Sequence, residues 1–191
     1  MCKCLEDMSN AELWQLFPIV LTEYQPQWKP NYLMEKTVIE KAIGREAVVR
    51  ISHFGSTSVP GLLAKPTIDI LLEIREDTDV DILVSNLRSA GYIPSLQPEK
   101  PAPHLMFMKG YTPHGFEGQA YHLHVRYPGD YDELYFRDYL VSHPDAAAEY
   151  GRLKRELQRQ YRHDRDGYTA AKGEFIRKVT MIAREEQEQS L

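Results

Sequence analysis

A chain of 191 residues, 42% hydrophobic and 27% charged, has the make-up of an ordinary globular domain and can bury roughly 70% of its unfolded surface. No apolar run approaches the ~20 residues of a membrane span, the first residues lack the apolar core of a signal peptide, and a net charge of −5 argues against non-specific nucleic-acid binding. Cysteines stand only at positions 2 and 4, which fits a reducing cytoplasm and supplies too few ligands for a closed metal site.

Ser9-Asn10-Ala11-Glu12 has the form of a capping box, so a short helix is expected to start there and to end before Pro18. Ile19 to Tyr24 reads as a first strand. A helix is expected from Trp28 to Ile43, burying Leu33, Ile39, Ala42 and Ile43 and stopping at Gly44. Val48–Phe54 and the near-continuous apolar run Thr67–Ile74 read as strands, the second a central one. Asp79 to Ala90 has helical spacing, with Gly91 as its stop. Three more strands follow at Tyr92–Leu96, Leu105–Lys109 and Ala120–Arg126, with the prolines of Gln97 to Pro103 and a polar loop from Gly110 to Gly118 between them. From Asp130 the chain reads as helical, broken at Ser142-His143-Pro144 and at 163–167. This pattern predicts an α/β protein of the α+β type: a mixed sheet packed with helices, then a helical C-terminal third. The expected organisation is an N-terminal extension to residue 18, one domain over 19–182 and a polar tail over 183–191.

Chemistry concentrates after the first long strand. In Gly55-Ser56-Thr57-Ser58-Val59-Pro60-Gly61 the glycine lets backbone amides approach a phosphate and the hydroxyls add donors, although a plain structural turn would use the same residues. It is not a Walker loop, because Lys65 is followed by Pro66 and a strand rather than by a helix. Asp69 interrupts an apolar strand, where a carboxylate needs an ion pair, a proton or a metal.

His122 and His124 alternate on one strand and so share a face ~7 Å apart, as site residues or as hydrogen-bonded structural ones. Imidazole would favour zinc or another transition metal over magnesium. Lys172 falls within the apolar sector of Tyr168, Phe175, Ile176, Val179 and Ile182, and so either snorkels to a rim or points into a cleft. Arg126 and Arg137 are weaker ligand candidates. Residues 150–180 hold nine Lys/Arg against four Asp/Glu, while the remainder of the chain is strongly acidic. Within that basic segment Arg152, Arg155, Arg159 and Arg162 form a stripe opposite Tyr150, Leu153, Leu157 and Tyr161, as a solvated helix face does.

The run His53-Phe54-Gly55-Ser56-Thr57-Ser58-Val59-Pro60-Gly61, continued by Lys65-Pro66-Thr67-Ile68-Asp69, resembles the signature of the GrpB family. Further matches are His122-Leu123-His124-Val125, Phe136-Arg137-Asp138-Tyr139-Leu140, and Tyr168 with Lys172. The resemblance implies a fold like that of the polymerase-beta-like nucleotidyltransferases, with the glycine–serine loop on phosphates and magnesium or manganese on strand carboxylates. Active members of that superfamily carry acidic residues at i and i+2, whereas here the second position is Leu71. Glu73 lies on the same face but ~13 Å from Asp69, too far to share a two-metal site. Three readings follow: transfer of a nucleotidyl group from a nucleoside triphosphate to a small molecule, a non-catalytic nucleotide- or coenzyme-A-precursor-binding or protein-interaction module, and an Asp/His metal-dependent phosphohydrolase. In each the expected ligand is a nucleotide or other phosphorylated small molecule.

Overall fold

The computed structural model describes residues 4–95, 100 and 103–189. Strands β1 (Val48–Phe54), β2 (Thr67–Ile74), β3 (Ile93–Ser95), β4 (Leu105–Thr112) and β5 (Gly115–Arg126) form one sheet in the order β1-β2-β5-β4-β3. β2 and β5 are parallel and every other neighbouring pair is antiparallel, so the sheet is mixed as expected. The helices are α1 (Asn10–Leu16), α2 (Trp28–Ile43), α3 (Val80–Ser89), α4 (Asp132–Ser142), α5 (Pro144–Gln160), α6 (Arg165–Ala171) and α7 (Gly173–Glu188).

The period-2 alternation of β2 sorts its side chains. Ile68, Ile70, Leu72 and Ile74 face the main core with Phe107, Leu123 and Val125, under Trp28, Tyr32 and Ile39 of α2 and Leu83 and Leu87 of α3. Full burial of each such side chain stabilises by about 1.5–3 kcal/mol. Thr67, Asp69, Leu71 and Glu73 face the opposite side, which the C-terminal helices only partly cover. A second apolar cluster (Val59, Leu62, Leu140, Ala147, Tyr150 and Val179) ties those helices to the segment after β1.

Several local signals were read correctly. Ser9 caps α1 through a capping box, its Oγ accepting from Glu12 N while Glu12 Oε2 accepts from Ser9 N at 2.7 Å. Gly44 and Gly91 both have positive φ at the ends of α2 and α3.

Other expectations are corrected. Ile19–Tyr24 makes one isolated bridge, Thr22 to Ala64, instead of a strand; its apolar residues read as a strand, but Ile19 is buried against Leu157 and Tyr168. In α2, Leu33 is exposed while Glu35 is buried, because Glu35 accepts from Lys109 Nζ at 2.8 Å and from the Tyr92 hydroxyl at 2.9 Å. The Gly110–Gly118 stretch is paired rather than looped, and the turn is confined to Pro113-His114. α7 runs on through residues 183–188, with Ala183 buried. Cys2, Leu96 and most of the proline-rich 97–103 segment lie outside the described residues; Cys4 is exposed and free.

Candidate functional site

Asp69 pairs in register with Phe54 of β1 and His122 of β5, which puts these three side chains in one row on the open face. His122 Nδ1 lies 3.2 Å from Asp69 Oδ1, and His122 Nε2 lies 2.7 Å from the Tyr111 hydroxyl. An ionised carboxylate can only accept, so Nδ1 donates to Asp69. A β-bulge at Gly110 aims Tyr111 this way. Gly110 has φ +83, and the register shifts between Lys109 and Tyr111. Lys109 therefore turns to Glu35 on the core side and Tyr111 turns to His122.

Burial pushes the Asp69 carboxyl up, but the His122 hydrogen bond, and the positive charge that His122, His124 and Lys65 carry when protonated, outweigh it and hold the group below the usual carboxylate range. Burial lowers the His124 imidazole to about 4, so it is neutral at pH 7. Its ring meets Phe54 edge-on at 5.2 Å.

The loop after β1 has two duties. Gly55 has φ +70, and a Cβ there would lie 2.4 Å from Asp69 Oδ2, so this position must be glycine to seat the carboxylate. Ser58 Oγ donates to Gly55 O at 2.6 Å, and Thr57 Oγ1 donates to Thr67 O at 3.2 Å while accepting from His53 Nε2 at 3.0 Å. Those two hydroxyls hold the loop in shape. Ser56 alone of the three turns its hydroxyl to the cleft, where it accepts from Lys154 Nζ at 3.0 Å.

Lys154 was missed in the sequence. It stands four residues after Tyr150 and three before Leu157, on the inward side of α5, and it is 2% exposed. Its ammonium also donates to Leu63 O and sits 4.6 Å over the Tyr150 ring. Lys172 points into the cleft with Nζ 4.4 Å over the Tyr168 ring, which Lys65 approaches at 5.7 Å. Burial is the first cause that lowers all three ammonium groups, Lys65 and Lys154 to about 7 and Lys172 to about 8; crowding by like charges adds to it. The Tyr168 hydroxyl, fully buried against this cluster, has no hydrogen-bond partner among the described residues.

Together these groups line a cleft of about 630 Å³, a size suited to a small molecule such as a nucleotide. Gly55, Ser56, Lys65, Asp69, His122 and Lys172 line it, whereas Thr57, Ser58, His124, Arg126 and Arg137 do not. Arg126 donates to Leu105 O, Val125 O and His104 Nε2, and Arg137 to His53 O and Asp138, so both serve the scaffold. At the other end of the cleft Arg184 clamps Asp130 and Asp132. Arg152, Arg159 and Arg162 face solvent, and Arg155 pairs with Glu23 at 2.8 Å.

Two magnesium ions do not fit this donor set. Leu71 stands where a second carboxylate would be needed and is buried with Phe54 and Leu134. Glu73 accepts from Arg50 and from Gly129 N, so it is fully engaged. One ion that accepts nitrogen has a donor set in Asp69, His122 and His124, whose ligand atoms lie within 4.8 Å of one another. Among the described residues no helix is long and apolar enough to cross a membrane.

A family model described as GrpB protein matches residues 18–181. A UPF0157 protein of Pseudomonas aeruginosa is 38% identical over 156 residues, covering 81% of this chain and 63% of the relative. A dephospho-CoA kinase of Mycolicibacterium paratuberculosis is 29% identical over 84% of this chain, which spans only 44% of that enzyme. The crystal structure of the conserved protein GrpB from Enterococcus faecalis superposes with a TM-score of 0.75 at 31% identity, covering 88% of this chain and 99% of that one. The Cid1 poly(U) polymerase, bound to Mg and 3'-dATP, shares the fold at a TM-score of 0.50 and 11% identity, over 85% of this chain and 51% of that one. The chain therefore has a nucleotidyltransferase-like fold and belongs to the GrpB family.

Proposed function

We propose that the cleft is a receptor for a phosphorylated small molecule, a nucleotide in the first instance, with its phosphates across Lys65, Lys154 and Lys172. The carrying observation is how charge is divided along the cleft: the sequestered ammonium groups of Lys65, Lys154 and Lys172 gather near one lining carboxylate, Asp69, whereas the other three, Asp130, Asp132 and Glu133, come from one segment, two of them clamped by Arg184. Sequestered charge needs a counter-charge, and a polyphosphate supplies it. Ser56, the orphaned Tyr168 hydroxyl and the Tyr150 ring would add polar and aromatic contacts. The likeness to nucleotide-bound Cid1 supports the same ligand class through its fold. A reducing cytoplasm, where nucleotides and coenzyme A precursors occur, suits this reading.

A second reading is favoured by the Asp69, His122 and His124 group: one manganese or zinc ion, with nucleotidyl transfer or phosphate-ester hydrolysis at that end of the cleft. Such an ion, held by Asp69, His122 and His124, would supply Lewis acidity, while the lysines hold the phosphates.

A thermal-shift panel of nucleotides and coenzyme A precursors, with and without Mg²⁺ or Mn²⁺, tests both. A ligand at ~100 times its Kd stabilises by about 2.7 kcal/mol. The receptor reading expects a metal-independent shift that survives Asp69→Asn and is lost in Lys172→Met. A shift that requires metal and disappears in Asp69→Asn would favour the second reading. No shift with any compound on the folded protein would refute the receptor.

A further inference from the structure

The row that carries Asp69 and His122 does not end at the cleft. Met108 pairs with His122 and Ile93 with Met108, so the same open face continues across β4 to β3. There, beyond Tyr111, lies a second cavity of about 230 Å³, walled by Leu13, Trp14 and Phe17 of the α1 segment and by Met108 and Tyr111 of β4. Its walls are fixed from outside. His163 Nδ1 lies 3.3 Å from Trp14 O, and Ile19 N donates to Arg162 O at 2.8 Å. Two of its lining rings, Phe17 and Tyr111, meet edge-on with centroids 5.0 Å apart, and each also meets Phe116 edge-on.

One charged group enters this apolar cavity. Arg165 lines it with its guanidinium 6.0 Å from the Tyr111 ring centroid, and no carboxylate lies within ion-pair distance among the described residues. Lys65 and Lys172 lie close enough for Arg165 to repel their charges, and the Asp69 carboxylate acts on those two lysines. Drug-sized ligands occupy about 300–1,000 Å³; a cavity below that range suits a single ring with a short arm.

We infer that this cavity is a second ligand site, for a small aryl carboxylate whose ring packs on Trp14, Phe17 and Tyr111 and whose carboxylate meets Arg165. Edge-to-face contacts favour an aromatic body over an alkyl one, and the planar guanidinium suits a carboxylate bidentately. Tyr111 is shared: its ring lines this cavity and its hydroxyl holds His122, so an occupant would touch the residue that orients His122 beside Asp69. The inference does not depend on what fills the lysine cleft.

The test uses the natural reporter. Trp14 lines the cavity, whereas Trp28, the second of two tryptophans, is buried in the main core. Titration with 3-phenylpropionate is expected to change tryptophan emission saturably, and Trp14→Phe to abolish the change. 3-Phenylpropionamide, which keeps the ring and loses the charge, should bind the wild type at least about tenfold more weakly, and Arg165→Gln should weaken the carboxylate similarly. No saturable change, equal affinity for acid and amide, or a signal that persists in Trp14→Phe would each overturn the inference. The amide comparison needs no variant, so it decides even if Arg165→Gln does not fold.

Discussion

The two faces of β2 carry alternate residues of the same eight-residue strand and meet opposite fates. On one face Ile68, Ile70, Leu72 and Ile74 are fully buried against two helices. On the other, Glu73 and Asp69 stand four residues apart with different surroundings. Glu73 is 2% exposed and engaged by Arg50 and the Gly129 amide, so it is a satisfied scaffold pair. Asp69 is 27% exposed, held by one long contact to His122, and it faces lysines that make no ion pair with it. Identical chemistry on one strand face thus serves architecture at one end and remains available to a ligand at the other. What separates them is the partner set and not the residue type.

The largest effect that would sharpen this contrast lies on the core face. Leu72→Ala should lower unfolding free energy by about 2–5 kcal/mol in urea, through lost burial and a cavity, with no direct change at the cleft. On the cleft side, Gly55→Ala places a Cβ against the Asp69 carboxylate at a positive φ. A loss of about 1–3 kcal/mol is expected, together with a displaced Asp69. A variant as stable as wild type would show that Asp69 is not seated on Gly55.

The lysines make a pH prediction. Each has a folded value, about 7 to 8, below its ordinary 10.5, so between those values the unfolded chain binds more protons than the folded one. Their destabilising contribution is full below pH 7 and is relieved as pH rises through about 7–10. Melting temperature in phosphate-free buffer should therefore rise from pH 7 to 9, and the rise should shrink in Lys172→Met. A flat or falling profile would mean that the ammonium groups are not sequestered. The smallest effect belongs to the outer stripe, where Arg152→Ala should stay within about 0.5 kcal/mol of wild type.

Most of the scaffold was legible because its signals are local. The Ser9–Glu12 capping box, the Gly44 and Gly91 stops and the apolar alternation of Thr67–Ile74 each act over a few residues. Asp69 stood out because a carboxylate in an apolar strand violates the pattern around it. The rest depended on long-range partners. Glu35 is buried by Lys109 and Tyr92, far along the chain, so helical spacing alone put Leu33 inside instead. Tyr111 reaches His122 through a bulge that a glycine-rich stretch disguised as a loop. Lys154 was legible in principle from its spacing to Tyr150 and Leu157, but an inward lysine on an arginine-striped helix reads as one more solvated charge. Arg126 and Arg137 were drawn to scaffold carbonyls that no sequence pattern names.

The most direct test of the lysine receptor is metal-free calorimetric titration with ATP at pH 8, in two buffers of different ionisation enthalpy. At that pH Lys65 and Lys154, at about 7, are mostly neutral and Lys172 is half charged. Binding a polyphosphate must therefore recharge them. The account predicts saturable binding with net proton uptake, both reduced in Lys65→Met and Lys172→Met. Binding without proton uptake, or no binding to the folded protein, would contradict it.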